Sequence, residues 1–229
     1  MATPQRAKLN GMGSSGATPG PPVGGPSAPG RQAGGTPRAA LAELLAGNRR
    51  FVSGQPVHGH DVTAAAAASG DQQPYAVVLG CIDSRVPLEA IFDQTFGAIC
   101  VIRTGGHVLD RAVCGSIEYV VGQLGVPLVM VLGHERCGAV GAAVDALRAG
   151  VRPAGSLAHL VDEIAPAVTE AGLDDPAVHP LAIRRHVRRT VRTLRHDDLL
   201  AGPVAAGGVA VVGGLYDLAT GEVALLDPA

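Results

Sequence analysis

The sequence predicts an α/β fold in which a central, mostly parallel β-sheet is flanked by helices and preceded by a disordered N-terminal tail. Short continuous apolar runs alternate with helical patterns in the order strand, loop, helix, which is typical of a parallel sheet covered on both faces. Hydrophobic residues make up 47% of the 229 residues, yet aromatic residues are only 3% and there is no Trp. The core must therefore consist mainly of Ala, Val, Leu and Ile, and the length suits one large domain with a tail.

The N-terminal region differs in composition from the rest of the chain. Residues 1–36 are rich in Gly, Pro and Ala and offer too little apolar surface to offset the entropy of ordering, so we expect a disordered tail. This region has no continuous apolar segment followed by a small-residue cleavage site, so a signal peptide is not expected. Thr36 can cap a helix that begins at Pro37, and we therefore predict that the folded domain comprises residues 37–229.

The elements of the predicted domain follow from apolar runs and helical periodicity. Buried strands are predicted at residues 75–81, 97–103, 126–133 and 209–215, and a turn at 219–222 leads into a last strand at 223–226 that completes a hairpin. After the first helix, further helices are predicted at residues 112–124, 138–149, 157–171 and 181–194. Ligands of such sheets bind at the carboxyl ends of the strands.

Composition and charge argue against several kinds of partner. A net charge of -2 provides no field that would attract nucleic acid or an anionic membrane surface, and no apolar run approaches the roughly 20 residues that span a bilayer. The arginines of the helix at 181–194 are interpreted as a solvated or subunit-facing surface. Four cysteines are too few for a secreted disulfide scaffold of this length, which favours a reducing compartment and a cytoplasmic location.

Two short motifs place metal-ligand side chains at predicted strand ends. Cys81 ends the first strand and is followed by Asp83 and Arg85, whereas His134 follows the third strand and precedes Cys137. A catalytic zinc takes three protein ligands and leaves its fourth position to water or substrate, and two Cys with one His is a known set. As isolated residues, the cysteines would be interpreted as buried thiols and the histidine as a core residue, but here they occur together.

The pattern Cys-x-Asp-x-Arg followed by His-x-x-Cys-Gly resembles that of the β-carbonic anhydrase family. The similarity extends over most of residues 38–228, including the sequences at 48–51, 103–106 and 214–217. The resemblance implies one Zn²⁺ per chain, bound by Cys81, His134 and Cys137. It also implies reversible hydration of CO₂ to bicarbonate and a proton through a hydroxide on the zinc, in a homodimer or a higher homo-oligomer.

The resemblance gives Asp83 and Arg85 the role of a catalytic pair beside the metal. Asp83 can occupy the fourth zinc position in a closed, inactive form. When Arg85 draws it away, Asp83 can instead accept a hydrogen bond from the hydroxide. Two thiolates cancel the formal charge of Zn²⁺, so the metal should acidify its water less than a site with only histidine ligands does. A buried structural ion pair is the alternative interpretation of these two residues.

Other residues are weaker candidates. Gly105, Gly106 and Gly138 are expected near the substrate, because free N–H groups at a turn or helix start can stabilise thiolates or an oxyanion, but ordinary turn chemistry explains them equally well. The sequence does not select a proton carrier among its histidines. Cys100 and Cys114 are interpreted as small buried hydrophobic residues.

Three other functions are alternatives to CO₂ hydration. Carbon disulfide or carbonyl sulfide hydrolysis would use the same ligands, and only turnover measurements separate the substrates. A zinc- or bicarbonate-binding protein without turnover is disfavoured by the presence of both Asp83 and Arg85. A thiol redox protein would need closely spaced cysteines such as Cys-x-x-Cys, and the sequence contains none.

Overall fold

The computed structural model describes residues 35–70 and 72–226 and contains a five-stranded β-sheet with the order β2-β1-β3-β4-β5. Neighbouring strands pair in parallel except β5, which is antiparallel to β4. The strands are β1 (Ala76–Cys81), β2 (Ile99–Thr104), β3 (Leu128–His134), β4 (Ala210–Tyr216) and β5 (Val223–Leu225). The predicted fold class and the final hairpin are confirmed, with strand boundaries displaced by one or two residues.

Helices cover both faces of this sheet. They are α1 (Pro37–Val52), α2 (Val62–Ala67), α3 (Leu88–Ile91), α4 (Arg111–Gly122), α5 (Gly138–Ala149), α6 (Leu157–Ala171), α7 (Val178–Arg195) and α8 (Ala201–Ala205). The short helices α2, α3 and α8 were not predicted, because four to six residues carry too little periodicity to identify a helix. Helix α7 begins three residues earlier than predicted, since Pro180 lies in its first turn, where no backbone N–H partner is required.

The first helix begins where the sequence predicts it, with Thr36 as its N-cap. Thr36 Oγ1 accepts a hydrogen bond from the Ala39 N–H at 3.2 Å, and Pro37 is the first residue of α1. The tail predicted at residues 1–36 lies, apart from its last two residues, outside the described part of the chain. Among the described residues, no helix is both long enough and apolar enough to cross a membrane.

Successive side chains of each strand point to opposite faces of the sheet, so the core is divided between the two faces. Val78 of β1 packs with α1 and α3 on one face, and the adjacent Leu79 packs with α4 and α7 on the other. A third cluster joins α5, α6 and α7 and includes Cys81 and Cys137. Cys81 and Cys137 are therefore part of a packed apolar region from which water is largely excluded.

Two glycines in helices provide a matched test of this packing. A Cβ atom at Gly47 of α1 would lie 1.7 Å from the backbone oxygen of Phe92, whereas a Cβ at Gly115 of α4 would meet no atom within 4 Å. We expect Gly47→Ala to destabilise the protein by at least about 3 kcal/mol, because helix and loop backbones must separate. Gly115→Ala should stabilise it by about 0.5–1 kcal/mol through helix propensity. Denaturant unfolding measures both, and equal effects would contradict the packing described.

A buried carboxylate fixes the loop that follows α1. Asp93 is 2% exposed and accepts hydrogen bonds from Arg50 Nε at 2.5 Å and from the backbone N–H groups of Val57 and His58. Burial alone would raise the pKa of Asp93, but the Arg50 guanidinium and the two amides outweigh it and hold this pKa below its usual value. The ionised form is therefore the one that stabilises the fold.

The lowered pKa predicts a pH-dependent effect of Asp93→Asn. Asn tolerates the φ of 44° at this position, so the substitution mainly removes the charge. At pH 7 we expect a loss of about 2–3 kcal/mol of unfolding free energy. Because the stabilisation by an ionised Asp is lost as the pH falls below its unfolded pKa of about 3.9, the difference from the native chain should shrink below about pH 4. Urea unfolding at several pH values measures it, and a constant difference would contradict the assignment.

Candidate metal centre

Two neighbouring strands bring the sequence motifs together at the carboxyl edge of the sheet. Strand β1 ends at Cys81, and β3, its direct neighbour, ends at His134. A turn with Arg136 at a φ of 52° then leads to Cys137, which is the N-cap residue of α5. The geometric expectation that Cys81 and His134 meet despite their separation in sequence is therefore confirmed by the parallel register.

The atoms of Cys81, His134 and Cys137 that could bind a metal lie within 4.8 Å of one another, and all three residues are buried. The two Sγ atoms are 3.9 Å apart. Tetrahedral zinc with Zn–S bonds of about 2.3 Å separates two sulfur ligands by about 3.8 Å, so the observed distance fits such an ion. The donor set of two thiols and one imidazole also suits a soft to borderline metal rather than Mg²⁺ or Ca²⁺.

The imidazole of His134 is oriented as a metal ligand. Its Nδ1 lies 2.8 Å from the backbone oxygen of Glu135, which can only accept, so Nδ1 carries the proton. Nε2 is then the atom with the free lone pair, and it is buried without a hydrogen-bond partner in the described structure. A ligand histidine typically uses its second ring nitrogen in this way to fix tautomer and orientation.

The two thiols share a hydrogen bond, and it favours the thiolate form of Cys81 over that of Cys137. The hydrogen bond with Cys137 is the largest influence on Cys81, and it lowers the pKa of Cys81 while raising that of Cys137. The Gly106 N–H also donates to Cys81 Sγ at 3.4 Å. Backbone amides of Ala139 and Val140 in the first turn of α5 act to lower the pKa of Cys137. A bound cation would favour the thiolate form of both.

Asp83 and Arg85 form a two-point ion pair beside the candidate ligands. Arg85 donates from Nε to Asp83 Oδ1 at 3.0 Å and from Nη2 to Oδ2 at 2.8 Å, and its backbone N–H donates to Oδ1 at 2.9 Å. Asp83 Oδ2 lies 4.0 Å from His134 Nε2. The Arg85 hydrogen bonds hold the pKa of Asp83 well below its usual range. A carboxyl group with its pKa lowered in this way is ionised at neutral pH, and here it lies next to the candidate ligands and is held by arginine.

Three side chains that the sequence does not single out form hydrogen bonds with the backbone of the site. Arg103 at the end of β2 donates to the backbone oxygen of Cys81 at 2.9 Å and to that of Asp83 at 2.6 Å. From α7, His179 Nε2 lies 3.0 Å from the oxygen of Cys137, and His186 Nε2 lies 2.9 Å from that of Gly106. The local sequence gives no signal for these contacts, because they join residues 20 to 80 positions apart.

The glycines predicted near the substrate occupy different environments. Gly106 contacts Cys81 as described, whereas a Cβ at Gly105 would meet the Leu160 side chain at 2.7 Å, which makes close packing its visible role. Gly138 begins α5 directly after Cys137. A position next to substrate stays a prediction for all three.

The remaining histidines and cysteines do not join the ligand group. His60 lies on the loop near Gln94, 2.9 Å from its backbone oxygen, and His107 is 1% exposed and stacks on His186. Cys100 and Cys114 are partly buried free thiols, and burial raises the pKa of each. Their interpretation as small hydrophobic residues agrees with this placement, although neither is fully enclosed.

Comparison with known proteins agrees with this site. A family model described as "Carbonic anhydrase" matches residues 76–223. Carbonic anhydrase 2 of Mycobacterium tuberculosis is 44% identical over 193 residues, which cover 83% of this chain and 93% of the relative. A carbonic anhydrase of Mycolicibacterium smegmatis is also 44% identical, over 82% of this chain and 93% of its own length.

The fold is similar to that of a solved β-carbonic anhydrase. A tetrameric β-carbonic anhydrase of the filamentous ascomycete Sordaria macrospora superposes with a TM-score of 0.64 at 22% identity, covering 83% of this chain and 96% of that one. This likeness concerns the fold alone. The family model and the mycobacterial relatives show that the sequence is similar as well. The chain therefore belongs to the β-carbonic anhydrase family, whose general reaction is the hydration of CO₂.

Proposed function

We propose that this chain is a zinc-dependent carbonic anhydrase that interconverts CO₂ and bicarbonate, with one zinc held by Cys81, His134 and Cys137. The observation that supports it most is the geometry of the ligand group, in which two thiols 3.9 Å apart face an imidazole nitrogen that has a free lone pair. Three protein ligands leave a fourth position for water, as in catalytic rather than structural zinc sites.

Zinc in this set would supply Lewis acidity and lower the pKa of a bound water, so that a nucleophile is available near neutral pH. The protein's own groups supply the surroundings for that chemistry. The ligands are at most 4% exposed, so electrostatic interactions at the site are screened less than in water. His134 is oriented by Glu135, and Cys81 accepts a hydrogen bond from Gly106, which moderates the electron donation of that thiolate.

Asp83 has two roles available, and Arg85 decides between them. An ionised carboxylate 4.0 Å from a ligand nitrogen is near enough to occupy the fourth metal position and exclude water. In the observed arrangement Arg85 binds both carboxylate oxygens, which would keep Asp83 beside a bound metal rather than on it. There the carboxylate can accept a hydrogen bond and orient the attacking oxygen toward the carbon of CO₂. Arg85, half exposed, then acts as the restraint on Asp83.

Stopped-flow hydration of CO₂ between about pH 7 and 9, with zinc counted per chain on the same sample, tests the proposal. Fast turnover that rises with pH and one zinc per chain would support it. One zinc without turnover at any pH would leave a binding protein. Turnover of carbonyl sulfide or carbon disulfide in preference to CO₂ would instead assign a sulfur-substrate hydrolase.

We also propose a homodimer or higher homo-oligomer, on the strength of the exposed edge of the sheet. Strand β2 is an edge strand, and Phe96 (42% exposed) lies just before it in the chain. Ile82 (63% exposed) lies at the other end of β2, where its backbone N–H donates to the oxygen of Thr104 at 3.0 Å. A cavity of about 430 Å³ beside it is lined in part by Phe96 and Ile99. An apolar edge of this kind favours pairing with a second copy. Light scattering coupled to size exclusion measures the mass, and a monomer at micromolar concentration would contradict the assignment.

The state of the cysteines supports a cytoplasmic location. All four are free thiols, and two of them are proposed metal ligands that must remain reduced. Fractionation of cells that express the chain, followed by immunodetection, tests the location.

A further inference from the structure

Gly106 connects helix α7 to the Cys81 thiol through its two backbone groups. Its N–H donates to Cys81 Sγ at 3.4 Å, and its carbonyl oxygen accepts from His186 Nε2 at 2.9 Å. We propose that His186 is a positioning residue that acts through Gly106 to hold an N–H group on the Cys81 thiolate and so tune the metal centre. The proposal rests on the proposed function, because it requires that Cys81 binds a metal.

The conformation of the turn explains why it needs an external restraint. Gly106 has a φ of 63°, and the next residue, His107, has a φ of 47°. Glycine adopts the left-handed region without strain and many other conformations as well, whereas His107 is not a glycine and depends on its surroundings to stay there. Gly106 is buried, so without His186 its carbonyl oxygen would lose its side-chain donor in a place that water does not reach.

His186 is well suited to this restraint. It is 4% exposed, and burial lowers its pKa to about 4, so the ring is neutral at physiological pH. A carbonyl oxygen only accepts, so the ring must carry its proton on Nε2. His107 stacks on the same ring, with centroids 4.6 Å apart and an interplanar angle of 31°. His186 therefore contacts two consecutive residues of the turn, one by a hydrogen bond and one by its ring face.

The expected consequence concerns the sulfur ligand. An N–H group that donates to a thiolate withdraws electron density from it, which matters in a site where two thiolates already neutralise the charge of the ion. If His186 is removed, the turn relaxes and the Gly106 N–H moves away from Cys81. The thiolate then becomes a stronger electron donor, in a ligand set that is less well ordered.

The test compares His186→Leu, which removes the donor, with His186→Gln, whose amide N–H₂ can reach the same carbonyl. Val191→Ala is the control, because it removes buried volume from the same helix without touching the turn. Zinc affinity is measured by chelator competition, and Co²⁺-loaded protein reports the thiolate-to-cobalt charge-transfer band. We expect His186→Leu to lose about 10- to 100-fold in zinc affinity and to shift the band to lower energy. His186→Gln should restore both, and Val191→Ala should change neither.

An affinity loss in His186→Leu no larger than that in Val191→Ala, or an unshifted cobalt band, would overturn the proposal. If His186→Leu does not fold, ¹⁵N spectroscopy of the zinc-loaded native chain decides, since a proton on Nδ1 alone would exclude the hydrogen bond. A native chain that binds no zinc would refute the proposed function as well. A native chain that is active while His186→Leu behaves normally would refute this inference alone.

Discussion

Replacing Cys137 by Ser should abolish stable zinc binding and, with it, CO₂ hydration. A serine hydroxyl stays protonated near neutral pH and is a poor partner for a borderline-soft ion, so the site would keep only Cys81 and His134. We expect zinc affinity to fall by more than the 10- to 100-fold typical of losing an outer-shell contact. Metal analysis after dialysis, together with chelator competition, measures the loss.

Cys114→Ser is the matched control for this change. Cys114 is also a free thiol, but it lies on α4 and is not part of the ligand group. The control should retain one zinc per chain and native turnover. If Cys137→Ser also retained one zinc with native affinity, Cys137 would not be a ligand, and the proposed site would be wrong.

The fold and the ligand positions were predictable because both depend on local patterns. Each strand of the parallel sheet is a continuous apolar run, and the strand ends fixed where Cys81 and His134 would lie. The predicted α5 and α6 have the observed bounds, because both carry strong periodicity. The short helix α3 escaped prediction, since its position depends on contact with Gly47 and α1 rather than on its own four residues.

The outer contacts of the site could not be predicted, for a different physical reason. The hydrogen bond from His186 to Gly106 forms only after α7 has packed against the sheet, so no spacing in the sequence encodes it. Arg103 lies in one of the segments that resemble the family. Its hydrogen bonds to the backbone oxygens of Cys81 and Asp83 also form only in the folded chain, so no local pattern predicts them. Sequence motifs thus predicted which residues come together as candidate ligands, whereas the orientation of their side chains depends on tertiary packing.

Replacing Asp83 by Asn should leave zinc in place but remove turnover. The amide is nearly isosteric and Asp83 is not one of the three ligands, so we expect one zinc per chain with affinity within a few-fold of native. Turnover should fall at least about 100-fold, because the neutral amide no longer provides the charged acceptor beside the metal and leaves Arg85 without its counterion. Asp83 stays ionised at neutral pH in the native chain, so the loss should persist across about pH 7 to 9 rather than appear as a displaced titration.

The matched control for that change is Asp162→Asn, which breaks a two-point ion pair with Arg152 on the protein surface. Both partners are about half exposed or more, so little stability and no turnover should be lost. Equal activity of Asp83→Asn and Asp162→Asn would show that the carboxylate beside the metal has only a structural role. A large loss confined to Asp83→Asn, with zinc retained, would separate metal binding by the three ligands from catalysis by the Asp83–Arg85 pair, which no measurement on Cys137→Ser can do.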